Sequence, residues 1–164
     1  MKGYLIIRGP LAVGKTTIAK ALTKKLNGKY ISADKALDKV GWKESKDGFI
    51  AEESFLKANT LIIPAMKKSL SKGKITILDG NFYRKTQLLD ILKKVKSKKY
   101  IFTLKASVNE CIKRDKERKI SLGKDAVKVV HKIVSKLDYG IVINTNNRSV
   151  EETMKEVISY LPKK

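Results

Sequence analysis

The feature that most constrains this chain is the segment at residues 9–16, Gly-Pro-Leu-Ala-Val-Gly-Lys-Thr, which fits the pattern G-x-x-x-x-G-K-[ST] at every required position. An apolar run at residues 4–7 precedes it, and apolar residues at helical spacing follow it. A strand, a loop and a helix in this order bind phosphate groups, because the glycines let backbone N–H groups point at phosphate oxygens. The segment therefore predicts a nucleoside triphosphate site.

The residues of this loop have distinct predicted roles. Lys15 supplies a positive charge to the phosphates, and the hydroxyl of Thr16 is a ligand for Mg²⁺. The helix that begins here turns the positive end of its dipole toward the bound anion. The predicted nucleotide-binding residues are Gly9, Leu11, Ala12, Val13, Gly14, Lys15, Thr16 and Thr17. ATP and Mg²⁺ are the predicted cofactors.

The charge of the chain is unusual. Lys and Arg number 37 and Asp and Glu 16, which leaves a formal net charge of +21. Most of the basic residues are lysines, which bind phosphate as point charges and lack the bidentate contacts that identify a base. This charge predicts a polyanionic partner such as RNA or DNA, contacted through its backbone. Genome composition or surface ion pairing is the alternative explanation.

Length and hydrophobicity predict a single domain over residues 1–164. The chain is 42% hydrophobic, which is enough for a buried core. No apolar run reaches the roughly 18 to 20 residues of a membrane span, and the amino terminus lacks the long apolar region of a signal peptide. A cytoplasmic protein is therefore predicted. With Cys111 as the single cysteine, an internal disulfide is excluded.

Two acidic residues follow predicted strands, Asp34 after residues 29–32 and Asp79 at the end of residues 74–79. Ligands of open α/β sheets bind beyond the carboxyl ends of the strands, so both carboxylates are expected near the nucleotide. Asp79 is predicted to hold Mg²⁺, and Asp34 is predicted to be a general base for an acceptor hydroxyl. The alternative role for Asp34 is to cap the following helix.

Arg114 and Arg118 are four residues apart on a predicted helix and so share one face. A polar segment then interrupts the helical pattern, which is typical of a mobile lid over about residues 114–125. Arginines on such a lid would reach a transferring phosphoryl group when the lid closes. The alternative is ordinary pairing within the helix, with Glu110 and Asp115 as partners.

The side of the site that would hold the acceptor is less constrained by sequence. Asn81 and Arg84 are predicted to contact the acceptor together with Asp34, although Arg84 would also suit a solvated helix start. The loop at residues 41–48 is predicted to cover this side. Its Trp42 would either stack on a base or anchor the loop.

Strands alternate with helices about five times, which predicts a three-layer α/β fold with a five-stranded parallel sheet. The predicted strands are residues 3–8, 29–32, 74–79, 99–104 and 139–143. A long helix is predicted over residues 49–71, with Pro64 expected to kink or break it. The turn at residues 144–147 is expected to lie against the nucleotide base.

Together these motifs resemble the P-loop kinases related to polynucleotide 5'-kinase, zeta toxins and chloramphenicol phosphotransferase, which share an adenylate-kinase-like fold. The resemblance covers nearly the whole chain and is carried by the phosphate loop, Asp34, residues 79–81 and the helix with Arg114 and Arg118. It implies that Asp34 deprotonates the acceptor hydroxyl and that Arg118 is the lid arginine. Adenylate kinases offer a second likeness.

One departure from the polynucleotide kinases concerns the acceptor. Those enzymes flank the base with arginines that hold the acceptor's phosphates, whereas Asp34 has Ala33 and Lys35 beside it. Lys35 and Lys39 would have to take the place of these arginines in holding the acceptor's phosphates.

The predicted activity is ATP-dependent transfer of the γ-phosphate to a hydroxyl, with an RNA or DNA end as the favoured acceptor. The alternatives are a small-molecule or nucleoside monophosphate kinase and an ATP-switched RNA-binding protein without enzymatic activity.

Overall fold

Residues 2–46 and 48–162 are described by the computed structural model, and they form five strands and seven helices. The strands are β1 (Tyr4–Arg8), β2 (Lys29–Ser32), β3 (Thr76–Gly80), β4 (Lys99–Lys105) and β5 (Ile141–Asn144). The helices are α1 (Lys15–Lys25), α2 (Ala33–Val40), α3 (Glu52–Ser71), α4 (Lys85–Lys94), α5 (Val108–Lys116), α6 (Lys124–Val134) and α7 (Val150–Ser159).

All five strands join one parallel sheet in the order β2-β3-β1-β4-β5. The predicted fold class is thus confirmed. Every residue of β1 and of β3 is buried, since helices cover both faces of the sheet at its centre. Asp79 lies in register with Ile7 of β1 and with Ser32 of β2. The phosphate loop, Asp79 and the start of α2 consequently lie side by side at the carboxyl edge.

Alternation along β1 divides the interior into two cores. Tyr4 and Ile6 face a core built with α3 and α4, while Leu5 and Ile7 face a core built with α1 and α7. Successive side chains of a strand point to opposite faces, so a central strand must be apolar on both. This explains why the run before the phosphate loop has no polar alternation.

The long helix differs from its prediction in two respects. It begins at Glu52, because Ile50 forms a short bridge with Glu44 and the chain is extended there. It also continues unbroken through Pro64, so the expectation of a break is wrong. Proline removes one backbone hydrogen bond, but buried side chains near Pro64 hold the helix against the core. These side chains are Ile62, Ile63 and Met66.

The segment after α5, where the sequence predicts a mobile lid, is hydrogen-bonded to the end of that helix. Helix α5 ends at Lys116, so Arg118 lies in the loop at residues 117–123 and not on the helix. The buried carboxylate of Asp115 accepts hydrogen bonds from Ser121 Oγ at 2.7 Å and from the N–H groups of Leu122 and Gly123 at 3.0 Å each. The loop therefore folds back over the end of its own helix.

Within the described ranges, none of the helices combines the length and the apolar character that a membrane span requires.

Candidate active site

A cavity of about 310 Å³ opens at the carboxyl edge of the sheet. Its walls are residues 11–18, Asp34, Arg114, Arg118, Thr145, residues 148–150 and Thr153. The phosphate loop, the predicted base and both predicted arginines thus line one space, although they come from three separate segments of the chain.

The backbone of the phosphate loop has the shape of an anion cradle. Ala12 and Gly14 both have positive φ, 60° and 102°, and this conformation turns backbone N–H groups toward a common centre. Gly9 is required for a different reason. A Cβ at that position would lie 2.5 Å from the carbonyl oxygen of Leu104, so no larger residue fits between β1 and β4.

Lys15 is the most buried charge of the cavity, with 6% of its surface exposed. Its ammonium donates a hydrogen bond to the carbonyl of Pro10 at 2.7 Å and so lies folded over the loop. Burial lowers its pKa, while the carboxylates of Asp79 and Asp34 act in the opposite direction. This cation is poorly solvated by the protein alone, which suits a group whose partner is a bound anion.

Asp79 and Thr16 form the candidate magnesium site. Oδ2 of Asp79 accepts hydrogen bonds from Thr16 Oγ1 at 2.7 Å and from the hydroxyl of Tyr30 at 2.9 Å. Oδ1 of Asp79 is buried and has no hydrogen-bond partner among the described residues. A buried carboxylate oxygen without a partner is costly unless a ligand satisfies it, and Mg²⁺ prefers hard oxygen donors. The residues present therefore fit the ion.

Asp34 lies in the first turn of α2, where its side chain is exposed to solvent at the cavity although protein surrounds much of it. The N-cap of this helix is Ser32, whose side chain accepts the N–H of Lys35, so the capping alternative for Asp34 is wrong. The surrounding protein raises the pKa of the Asp34 carboxyl, and Lys15 lowers it. A carboxylate with a raised pKa is a stronger base than an ordinary one.

Arg114 is held in place by the protein. Its guanidinium donates to the carbonyl of Val13 at 3.1 Å and to the hydroxyl and the carbonyl of Thr145 at 3.1 and 2.6 Å. Nε donates to Glu110 at 2.8 Å, which is the i,i+4 pairing considered as an alternative. Arg114 thus ties the phosphate loop to the end of β5, and most of its donors are already engaged.

Arg118 is much less constrained. The one hydrogen bond of its guanidinium within the described residues is a long one to the Asp115 carboxylate, at 3.4 Å, and 45% of its side chain is exposed. Both arginines line the cavity, but Arg118 is the one that can move toward a ligand.

Asn81 and Arg84, the predicted acceptor contacts, lie outside the cavity wall. Asn81 is buried, and its Oδ1 has no partner among the described residues. Arg84 precedes α4 and forms an ion pair with Glu52 at 2.8 Å. The alternative interpretation of Arg84, a solvated arginine at a helix start, agrees with this geometry.

Sequence reasoning missed part of the cavity. Arg148, Ser149 and Thr153 at the start of α7 line it, as does Thr145 from the turn that was expected to face the base. Tyr30, which contacts Asp79, was also missed. A capping box of Ser149 and Glu152 predicts the start of α7 but not what that start faces.

A sequence profile of the family described as "Chromatin associated protein KTI12" matches residues 4–152. No curated protein sequence matches the chain.

Solved structures with the same fold include several kinases. A sugar kinase from Janibacter sp. HTCC2649 superposes with a TM-score of 0.80 at 15% identity, over 98% of this chain and 94% of that one. A gluconokinase from Sinorhizobium meliloti 1021 gives 0.69 at 10% identity, over 96% and 90%. The tunicamycin resistance protein of Deinococcus radiodurans gives 0.70 at 15% identity, over 97% and 95%. These likenesses show the fold of P-loop kinases; none singles out the polynucleotide kinase group.

Proposed function

The chain belongs to the KTI12 family, and from this premise and the geometry of the cavity we propose that it is an ATP-dependent phosphotransferase that phosphorylates a hydroxyl group. One observation carries the proposal. Lys15, Asp34 and Arg118 line the same cavity, and each supplies a different part of phosphoryl transfer. A protein that only binds nucleotide needs the phosphate loop but has no use for a carboxylate with a raised pKa beside it.

The phosphate loop and Lys15 hold the nucleotide. The N–H groups around Ala12 and Gly14 bind phosphate oxygens, and the Lys15 ammonium exchanges the Pro10 carbonyl for a phosphate. Mg²⁺, when bound, neutralises negative charge on the phosphates, and Thr16 and the free Oδ1 of Asp79 are the groups that would hold it.

Asp34 and Arg118 act on the transfer itself. The Asp34 carboxylate accepts the proton of the acceptor hydroxyl as that oxygen attacks the γ-phosphorus, and the bond from this phosphorus to the β,γ-bridging oxygen breaks, which releases ADP. Arg118 leaves its long contact with Asp115 and neutralises the oxygens of the transferring group. Arg114 supports the phosphate loop through Val13, so its contribution is mainly to hold the site in shape.

An RNA or DNA end is the acceptor that the charge favours. The formal charge is +21, and exposed lysines lie near Asp34 in sequence, on the loop after Arg118 and at the first position of α6: Lys35, Lys39, Lys43, Lys119 and Lys124. Such a surface attracts a phosphate backbone at every sequence. The family description names a chromatin-associated protein, which agrees with work near nucleic acid.

Labelled ATP with Mg²⁺ and a panel of 5'-hydroxyl RNA, 5'-hydroxyl DNA, nucleosides and simple sugars tests the proposal. We expect label in the RNA or DNA end. Absence of transfer to every acceptor, with ATP binding intact, would contradict the phosphotransferase.

Binding of mixed RNA at rising salt tests the acceptor class separately. Affinity should fall steeply between about 50 and 200 mM salt, because lysine contacts release counterions. Lys35→Gln with Lys39→Gln should weaken binding. The matched control, Lys24→Gln with Lys25→Gln, removes the same charge at the far end of α1 and should have little effect.

A small-molecule kinase is the second candidate. It is favoured by the absence of arginines beside Asp34 and by the sugar kinase and gluconokinase among the structural neighbours. In this case label would enter a nucleoside or a sugar, and RNA would neither bind nor compete.

A further inference from the structure

Arg8 is the least expected side chain in the core. It ends β1, directly before Gly9, and none of its surface is exposed. Alternation along β1 sends it into the core that contains Tyr4 and Ile6. Burial lowers its pKa to about 10, so the guanidinium remains charged at neutral pH. No carboxylate contacts it among the described residues, and the nearby Asp138 pairs with Lys105.

Four acceptors surround this guanidinium, and they come from three parts of the chain. Nη1 donates to Thr103 Oγ1 on β4 at 3.1 Å and to the carbonyl of Leu137. Nη2 donates to the carbonyls of Phe82 and Val134 at 3.1 and 3.2 Å. The carbonyls at the end of α6 carry the negative end of that helix's dipole, which compensates the buried charge without an acidic partner.

The Phe82 contact fixes a conformation that the chain would not choose alone. Phe82 has a φ of +45°, in the left-handed region that side chains larger than glycine disfavour. Its ring lies beside Gly80, which packs against Ala33, the residue before Asp34: a Cβ at position 80 would lie 2.8 Å from Phe82 Cε2 and 2.6 Å from Ala33 Cβ. The loop at residues 81–83 therefore borders the start of α2, which carries the predicted base, and lies on the acceptor side.

The contacts at Val134 and Leu137 connect Arg8 to the carboxyl end of α6. Helix α6 follows the loop that carries Arg118, and it crosses the edge of the sheet, since Val127 packs in one core and Val134 in the other. His131 holds its middle through Nε2 and the carbonyl of Ala106, at 2.9 Å. Arg8 holds its carboxyl end.

We propose that Arg8 is a positioning residue that holds the loop at residues 81–83 and the end of α6 at a fixed distance from the phosphate loop. The identification of these parts as the acceptor side rests on the proposed function. Arg8 is hydrogen-bonded to the loop at residues 81–83 and to the end of α6, and it directly precedes the phosphate loop in sequence. Its loss therefore affects acceptor use far more than nucleotide binding.

Arg8→Lys and Arg8→Met test the proposal. Lysine keeps the charge but cannot reach four acceptors, and methionine keeps the length without a donor. Thr103→Val is the matched control, because it removes one Arg8 contact in the same core, together with the two Thr103 contacts to the backbone of Tyr139, and leaves the Arg8 contacts to Phe82, Val134 and Leu137 in place. Hydrogen exchange, Mg-ATP affinity and transfer to the acceptor found in the panel are measured on each variant.

In Arg8→Lys, amide exchange at residues 81–84 and 134–137 should be roughly tenfold faster, with exchange across α1 unchanged. ATP affinity should stay within about twofold while kcat/KM for the acceptor falls roughly 10- to 100-fold. Arg8→Met should show larger changes in both amide exchange and kcat/KM. Thr103→Val should show neither the faster exchange nor the loss of kcat/KM.

Uniformly faster exchange, a parallel loss of ATP affinity, or failure of Arg8→Lys to fold would overturn the proposal, because each would make Arg8 a general requirement of the core. The exchange experiment needs no acceptor. If the wild-type protein transfers phosphate to nothing, the proposed function fails, while the exchange pattern still decides whether Arg8 holds these two segments.

Discussion

The two sides of the cavity, the nucleotide side with the phosphate loop and the proposed acceptor side with Asp34 and Arg118, are built differently. On the nucleotide side, Lys15 and Asp79 are almost fully buried, and Arg114 is bonded to two neighbouring segments. On the proposed acceptor side, Asp34 is exposed, and Arg118 has 45% of its side chain exposed. The first is organised before any ligand arrives, and the second has side chains free to move.

This difference suits a transferase. A preformed phosphate cradle loses little entropy when nucleotide binds, whereas movable groups over the acceptor allow entry and then exclude water on closure. Substitutions on the nucleotide side should therefore change stability and nucleotide affinity. Substitutions on the acceptor side should change turnover.

Asp34→Asn should have the largest effect on turnover. Loss of the general base should lower kcat by about 10³-fold while ATP affinity stays within about twofold. The raised pKa predicts that wild-type activity falls as pH decreases through a value above that of an ordinary aspartate, because protonation removes the base. This acid limb should vanish in the variant. Asp38→Asn, one turn later and exposed, is the control; a matching loss there would contradict the assignment.

Lys15→Met tests the nucleotide side. We expect kcat/KM to fall roughly 10²- to 10³-fold, because a charge on the phosphates is lost. The temperature of unfolding should stay the same or rise, since an apolar residue replaces a buried charge without a carboxylate partner. Calorimetry and steady-state rates measure the two effects. A marked loss of stability would show that the Lys15 contact with Pro10 supports the fold.

Arg118→Ala should act on turnover alone. Its long contact with Asp115 contributes less than about 1 kcal/mol to the free energy of unfolding. Removal of a charge that stabilises the transferring group should lower kcat by about 10²-fold. Denaturant unfolding and single-turnover rates separate the two quantities, and unchanged turnover would exclude Arg118 from the reaction.

Arg114→Ala should show the opposite signature. It removes hydrogen bonds to Val13 and to Thr145, so the free energy of unfolding should fall by about 1.5 to 3 kcal/mol and ATP should bind more weakly. Denaturant unfolding and ATP titration measure both. If Arg114→Ala and Arg118→Ala behaved alike, the distinction between a fixed and a movable arginine would be wrong.

Arg84→Ala should be the mildest change. The surface ion pair with Glu52 contributes no more than about 1 kcal/mol, and it holds the guanidinium away from the cavity. Glu52→Gln, which releases Arg84, is the control. A rise in acceptor KM in Arg84→Ala together with a fall in Glu52→Gln would support the predicted acceptor contact, and a loss of ATP affinity would contradict it.

Most of the fold and half of the site followed from local pattern. The phosphate loop needs only one strand, one turn and one helix in sequence, and apolar runs that alternate with helical spacing suffice for a parallel sheet. Asp79 was predictable because an acid ending a buried strand must emerge at the carboxyl edge.

Other features depend on groups that are distant in the chain. The sequence presents Arg114 and Arg118 as equivalent. In the folded protein, however, Val13 and Thr145 lie against Arg114 and bind it. Arg8 looks like an interruption of an apolar strand until carbonyls from two other segments and the hydroxyl of Thr103 surround it.

The sequence by itself determined the conformation of the phosphate loop, since that conformation depends on glycines and on their spacing. The tertiary structure alone decided which charged side chains are fixed and which can move. Whether a side chain is fixed depends on which donors and acceptors form hydrogen bonds once water is excluded. Spacing along the chain does not predict those hydrogen bonds.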